Sequence, residues 1–190
     1  MSDTFLYTYP SPLEGYENLP PLPDELNEDG KSFKNPETGA WGFIPDYTGM
    51  IEGDNVDWIW TKPGVNLSQY KTVAVPEFGN LSNQTDVTAQ DLLTRNMKDG
   101  LSRRFGLKVV DKNADITVNG AMVDYFTGNT AARIWVGYGA GEPFTEVEVY
   151  VVDNKTKEII SKVRNQSHDY AVDSAIAQTI SNIIDEWAAH

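Results

Sequence analysis

From Lys71 onward, apolar and polar residues alternate with periods that set out strands and helices in turn. Thr72–Phe78 reads as a strand with Val73 and Val75 on one face, and Pro76 marks an edge or an exit. A helix is predicted over Thr88–Phe105, where Leu93, Met97, Leu101 and Phe105 repeat at four-residue steps. Thr88 with Asp91 suggests a capping-box start, Arg103 and Arg104 suit the last turn, and Gly106 suits the position just beyond it. A short strand, 107–110, follows. In Asp115–Phe126 the apolar phase shifts from Ile116 and Val118 to Ala121, Val123 and Tyr125, which predicts a bulge at Gly120. Ala132, Ile134 and Val136 mark a further strand running into the glycines GYGAG. Val147, Val149 and Val151 alternate with Glu146, Glu148 and Tyr150, the pattern of a strand with one apolar and one solvated face. DNKTKE is a hairpin turn, and Ile159–Arg164 is its return strand. The last helix is predicted to start at Asp169 as N-cap, with Val172, Ile176, Ile180, Ile183, Ile184 and Trp187 on one face. The expected fold is α+β: a mainly antiparallel sheet of about five or six strands with two helices packed on one face.

Residues 1–57 show neither period. Pro, Gly, Asn and Asp recur every few positions, and eight of the ten prolines lie at or before Pro63. The segment therefore reads as an irregular arm preceding a domain at 58–190. Its aromatics, Tyr47 among them, are too many for a bare linker and suit anchoring on a domain or partner surface. Charge follows the same division. The net charge of −13 is −9 over residues 1–70, from 12 acidic and 3 basic side chains, and only −4 over the rest. With pI near 4.4 and no basic patch, the chain is unsuited to a nucleic-acid backbone. Mean hydropathy of −0.42 and the lack of a long apolar run argue against a membrane span. Zero cysteines exclude disulfides and thiolate chemistry, and the first ten residues have no export-signal pattern.

Candidate chemistry is sparse. Two histidines, His168 and His190, cannot build a histidine metal cluster. Asp111–Asp115 imitates a calcium loop but offers Ile116 where glycine is needed and Met122 where a bidentate Glu is needed. Gly137, Gly139 and Gly141 have the wrong spacing for a dinucleotide fingerprint, and a strand rather than a helix follows them. Glu146 and Glu148 share a strand face, and an acid/base hydrolase built on them is the weakest reading, a solvated face the stronger. Neither catalytic nor cofactor-binding nor metal-ligating residues are assigned, and no cofactor is expected.

The order of motifs does carry a resemblance. Gly128–Lys162 (GNTAARIWVGYGAGEPFTEVEVYVVDNKTKEIISK) resembles the core of the DUF4410 family of uncharacterised bacterial lipoproteins, with an Arg before G-x-G-x-G, a valine-alternating strand and a D-x-x-T hairpin. FGLKVVDKNAD is similar to another stretch of that family. WIWTKPGVNLSQYKTVAV (Trp58–Val75) resembles its opening motif, which is also similar to one in DUF3313 lipoproteins. The resemblance covers about 58–190. It implies an exported domain tethered by a lipid on a cysteine, hence a periplasmic location with outer-membrane anchoring. Since the chain carries neither signal nor cysteine, the expectation is a sequence that begins beyond the lipidation site with Met1 added. The function implied is non-catalytic binding or scaffolding of other envelope proteins, with no nucleic-acid partner and membrane contact only through that anchor. Arg133, Gly137, Gly139, Gly141, Trp58 and Trp60 are then structural or interface residues. The alternative is a small-ligand or glycan-binding module using exposed Trp41, Trp58, Trp60 and Trp135.

Overall fold

The computed structural model describes residue 44 and residues 47–82, 87–127 and 143–190, together with the backbone of 33–34 and 41–42. Two short paired strands, β1 (Phe33–Lys34) and β2 (Trp41–Gly42), precede the main sheet. That sheet contains β3 (Trp58–Thr61), β4 (Thr72–Ala74), β5 (Gly79–Asn80), β6 (Lys108–Val109), β7 (Ile116–Phe126), β8 (Phe144–Asp153) and β9 (Ile159–His168). The helices are α1 (Val87–Phe105) and α2 (Val172–Ala189). Strand order is β3-β9-β8-β7-β4-β6, and β5 also pairs with β7.

The class is α+β as expected, but the sheet is mixed rather than mainly antiparallel. β3, β9, β8 and β7 are antiparallel neighbours, whereas β4 runs parallel to both β6 and β7, and β5 parallel to β7. The physical reason is the β4–α1–β6 connection: a helix between two strands carries the chain back to the starting end, so the strands must align in parallel. The sequence carries that strand–helix–strand unit, and the parallel direction follows from the connection.

One apolar core joins the helices to the sheet. Leu93, Met97 and Leu101 of α1 and Ile176, Ile180, Ile183 and Trp187 of α2 are buried with Val73, Ile116, Val118, Val147, Val149, Val151 and Val163. The helix-facing parity of β9 is fixed by hydrogen bonds as well as packing. Trp187 Nε1 donates to Ser161 Oγ at 2.9 Å, and Asn165 Nδ2 to the Thr179 carbonyl at 3.4 Å.

Several boundaries differ from the sequence reading. The predicted strand Thr72–Phe78 stops at Ala74, and the chain pairs again only at Gly79. Phe78 leaves the strand to pack in the core, held to α1 by its N–H on Thr94 Oγ1 (3.0 Å) and by Gln90 Nε2 on its carbonyl (2.8 Å). Helix α1 already includes Thr88 as a helical residue, so the Thr88–Asp91 capping box does not form. Helix α2 begins at Val172 behind Ala171, not at Asp169; the Asp169 carboxylate instead accepts its neighbour Tyr170's N–H at 2.5 Å. The return strand β9 extends past Arg164 to His168. The strand predicted at Ala132–Val136 lies outside the described residues.

Gly120 has a different role from the one expected. The register shift on β7 falls between Met122 and Asp124, not at Gly120. Gly120 lies flat under the Phe78 ring, where a Cβ would come within 2.3 Å of ring carbons. The phase change in the sequence was real, but the glycine serves close packing. Gly120→Ala should therefore cost about 1–3 kcal/mol by overpacking, read as a lower urea midpoint with an unchanged m-value.

Candidate functional site

The pleat places Glu146, Glu148 and Tyr150 of β8 on the side of the sheet away from the helices. Antiparallel register then sets Arg164 opposite Glu148, Lys162 opposite Tyr150, and Trp58 and Trp60 opposite Arg164 and Lys162 on β3. Sequence reasoning assigns this face to solvent. The structure buries it: Glu148 is 0% exposed, Arg164 2% and Glu146 9%.

The cover is a strap that includes Ile44 and residues 47–57 of the arm. Ile44, Tyr47 and Met50 form a second apolar cluster against Trp58 and Trp60. Gly49, at φ +81°, passes over the Trp60 indole at a distance where a Cβ would meet the ring at 2.9 Å, so both the backbone angle and the space select glycine there. Lys162 Nζ lies 4.8 Å from the Trp60 ring centroid and donates to the Thr48 carbonyl at 2.9 Å, fastening the strap across β9.

Charge is arranged under this cover with care for hydrogen bonding. Glu148 Oε2 accepts from the Ile44 N–H at 2.9 Å, and Oε1 from the Tyr47 hydroxyl at 2.6 Å and from Arg164 Nη1. Arg164 Nε donates to Glu146 Oε1 at 2.6 Å. A single guanidinium thus bridges two buried carboxylates. Burial pushes the Glu146 carboxyl well above its ordinary value, and the charges of Glu148, Asp124 and Asp57 add to the effect. Arg164 offsets one negative charge, and Glu148, with its extra donors, is the better placed to keep it. Asp124, opposite Glu146 across the β7–β8 pairing, is raised by burial too, against a lowering contribution from the Tyr125 N–H.

The strap's second half is fastened to α2. Glu186 accepts from the Asn55 N–H at 2.7 Å, Asn55 Nδ2 at 3.1 Å and the Asp54 N–H at 3.3 Å. Burial works to raise the Glu186 carboxyl, but these donors outweigh it and hold the group below its ordinary range. Asp57 closes the strap by accepting the Gln166 N–H at 2.6 Å. Val56 joins the main core, and Ile51 pairs with Ile59 beside β3.

Of the residues singled out from the sequence, Trp58 and Trp60 come together with this cluster as half-buried walls. Arg133, Gly137, Gly139, Gly141 and Trp135 lie outside the described residues, and so does the Trp41 side chain. Sequence reasoning missed Arg164. Its signal was present: a Glu-x-Glu on one hairpin strand faces an Arg of the same parity on the other, once the turn fixes the register. Among the described residues no group of three or more His, Asp or Glu side chains is placed to hold a metal ion.

Chemically, the arrangement fastens the strap to the sheet. A buried carboxylate with three donors is stabilised as an anion and is a poor proton shuttle. Breaking such a set leaves buried charge uncompensated. Glu148→Ala should therefore cost about 3–5 kcal/mol and release the strap, seen as faster amide exchange at Ile44. Glu146→Gln should behave oppositely. A carboxyl whose native pKa is raised stabilises the fold fully below its ordinary value of 4.5 and loses that contribution as pH climbs through the native value. The variant should thus gain stability relative to wild type as pH rises from about 4.5 towards 8. Equal stability differences at both ends of that range, in paired thermal melts, would contradict the shift.

Comparison with known proteins agrees with the sequence resemblance and the fold. Residues 83–172 match the family model described as "Domain of unknown function (DUF4410)". The opening motif at Trp58–Val75 lies upstream of the matched span. An uncharacterized 21.2 kDa protein of Botryotinia fuckeliana is 69% identical over 39 residues, 20% of this chain; the chain spans about a fifth (21%) of that curated relative's length. Among solved structures, a PelC dodecamer from Paraburkholderia phytofirmans superposes with a TM-score of 0.56 at 15% identity, covering 70% of this chain and 98% of that one. A second PelC dodecamer structure from the same organism gives 0.54 at 13% identity, with 70% and 96% covered. Lipoprotein GNA1162 from Neisseria meningitidis is more distant, at 0.45 and 12% identity over 63% and 99%. Over residues 83–172 the chain is therefore similar to the DUF4410 domain, the same family that its motifs resemble.

Proposed function

We propose that this chain is a non-catalytic cell-envelope domain that scaffolds other envelope proteins, and that it does so as a homo-oligomer. The observation that carries the reading is the fold likeness to the PelC dodecamer, which takes in nearly the whole of that chain, 98%. At 15% identity the likeness speaks to fold, and the step to assembly is the proposal. Periplasmic location and outer-membrane tethering belong to the same proposal, and the resemblance of the motifs at Trp58–Val75 and Gly128–Lys162 to lipoprotein families supports them.

The outer face supports a structural role for the Glu146–Glu148 pair. Glu148 is occupied by Arg164, Tyr47 and Ile44, and Glu146 by Arg164, beneath a strap that excludes water from Glu148 entirely. Trp58 and Trp60, offered from sequence as stacking platforms, pack against the strap instead. What remains outward is the strap itself, including Ile51 at 58% exposure, together with Tyr170 at 68%. Exposed apolar side chains of this size are suitable contact points for a second protein surface.

Light scattering after size exclusion tests the assembly. The 190-residue chain should elute as a multiple of its 21.2 kDa mass at tens of micromolar concentration, about the range where modest interfaces fill. Ile51→Glu with Tyr170→Glu should shift the population to monomer without lowering Tm. A wild-type monomer at every concentration, together with a soluble-fraction location when the gene is expressed with its own upstream sequence, would count against the whole reading.

A further inference from the structure

A groove of 790 Å³ opens at one end of the sheet, where the start of β4, the β6–β7 loop and the β8–β9 turn meet. The volume falls within the ~300–1,000 Å³ typical of small-molecule sites. Its walls are braced from within. Asp115 accepts the N–H groups of Lys71 and Thr72, both at 2.9 Å. Asp153 Oδ1 accepts those of Lys155 and Thr156 at 2.8 and 3.1 Å, and its Oδ2 takes the Tyr70 hydroxyl at 3.0 Å. Asn154 Nδ2 spans the gap to the Ala114 carbonyl at 2.9 Å. Both aspartates of the groove are thus engaged by backbone donors, and those bonds hold their carboxyls below the ordinary range.

The cations of the groove act on these aspartates through space: the charge of Lys71 helps to lower Asp115, and that of Lys155 helps to lower Asp153. Lys71, Lys155 and Lys157 all line the groove, and none closes an ion pair among the described residues. Backbone geometry adds a second observation. Asn113 at φ +56° and Lys157 at φ +65° are the non-glycine residues with left-handed backbone among those described, and both line this groove. Asparagine tolerates that region, but for lysine it costs about 1–2 kcal/mol relative to the right-handed basin. Glycine is the relaxed choice at the corresponding hairpin position. Lys157 therefore keeps its place on the groove lining at a cost the turn itself does not require.

We propose that this groove binds a small, multiply charged anion, bearing carboxylate or phosphate groups, through Lys71, Lys155 and Lys157. Asn113 adds a neutral hydrogen-bonding side chain on the same rim. A metal cation is disfavoured at the site, because three lysines share its lining with two carboxylates that already have donors. The anion class follows from charge and from the fixed N–H-braced walls, and it is independent of how the domain assembles.

Isothermal titration of the full chain at low ionic strength, with citrate and separately with inorganic pyrophosphate, provides the test. Potassium chloride at equal ionic strength is the control. Saturable one-site binding of at least one probe is expected, and the preferred probe distinguishes a carboxylate from a phosphate ligand. Lys155→Ala and Lys157→Gly should each weaken it about tenfold, the effect of one charged hydrogen bond. Lys157→Gly also relieves the left-handed strain, so its Tm should equal or exceed that of wild type while binding falls. Arg95→Ala, on the exposed face of α1, should leave affinity unchanged. No saturable heat with either probe, undiminished affinity in both lysine variants, or an equal loss in Arg95→Ala would overturn the assignment.

Discussion

Arg164 lies at the centre of the sheet face opposite the helices, with a carboxylate from each of two alternate positions of β8 turned towards it. Once that guanidinium is out of water, much else is constrained. Two carboxylates share one positive charge, so the remaining lone pairs of Glu148 need further donors. The strap supplies them from the Ile44 N–H and the Tyr47 hydroxyl, and Met50 with Trp58 and Trp60 seals the site. A sheet with helices on one side and charged residues on the other thereby becomes buried on both. Buried ion pairs add little net stability against an apolar alternative, while disrupting one is expensive. The cluster is best understood as fixing where the strap docks. Only the observed placement brings a backbone donor and a tyrosine hydroxyl to the same carboxylate.

Glu186 repeats the device on α2. There the strap's Asp54 and Asn55 turn their N–H groups onto a carboxylate of the last helix, which ties the arm to the element most remote from it in sequence. The two carboxylates act at opposite ends of one segment. Between them runs Ile51, bridged to Ile59, so that β3 carries strap on its outer side and β9 on its inner side. An edge strand that would otherwise present open backbone groups is in this way partly covered.

Much of the helix-facing half of this fold was legible in the sequence. The four-residue spacing of Leu93, Met97 and Leu101 and the isoleucine stripe of α2 report a single packed side, and all of these residues are buried. The valine alternation of β8 and the turn after Asp153 were legible for the same reason. Illegible was the nature of the other face. A period of two says that the two faces of a strand differ, and says nothing of whether the polar one is wet. Glu146 and Glu148 look solvated until a segment a hundred residues earlier is laid over them, and no local pattern announces that contact. Strand direction was lost differently. The β4–α1–β6 unit was present, yet parallel pairing is a property of the connection and not of either strand's composition. Asp169 misled because a good capping residue near a helix start is only a local preference. The β9 strand instead runs on to His168, and the turn that follows delays the helix to Val172.

The formal charge of −13 takes on a different meaning against this structure. Glu148 and Glu186 point inward to donors, Glu146 is pushed towards its neutral form by burial, and Asp115 and Asp153 are engaged by backbone N–H groups. These carboxylates either meet local donors or, as at Glu146, are pushed towards neutrality, which leaves less of the domain's acidity free to act at a distance. Lysines in the groove at the sheet's end close no ion pair among the described residues, and Lys157 keeps its place against a backbone preference. The acidic arm and the lysine-lined groove are therefore compatible properties of one chain. Net charge is set mostly by residues 1–70, whereas the local field at any site is set by which charges the fold has already satisfied.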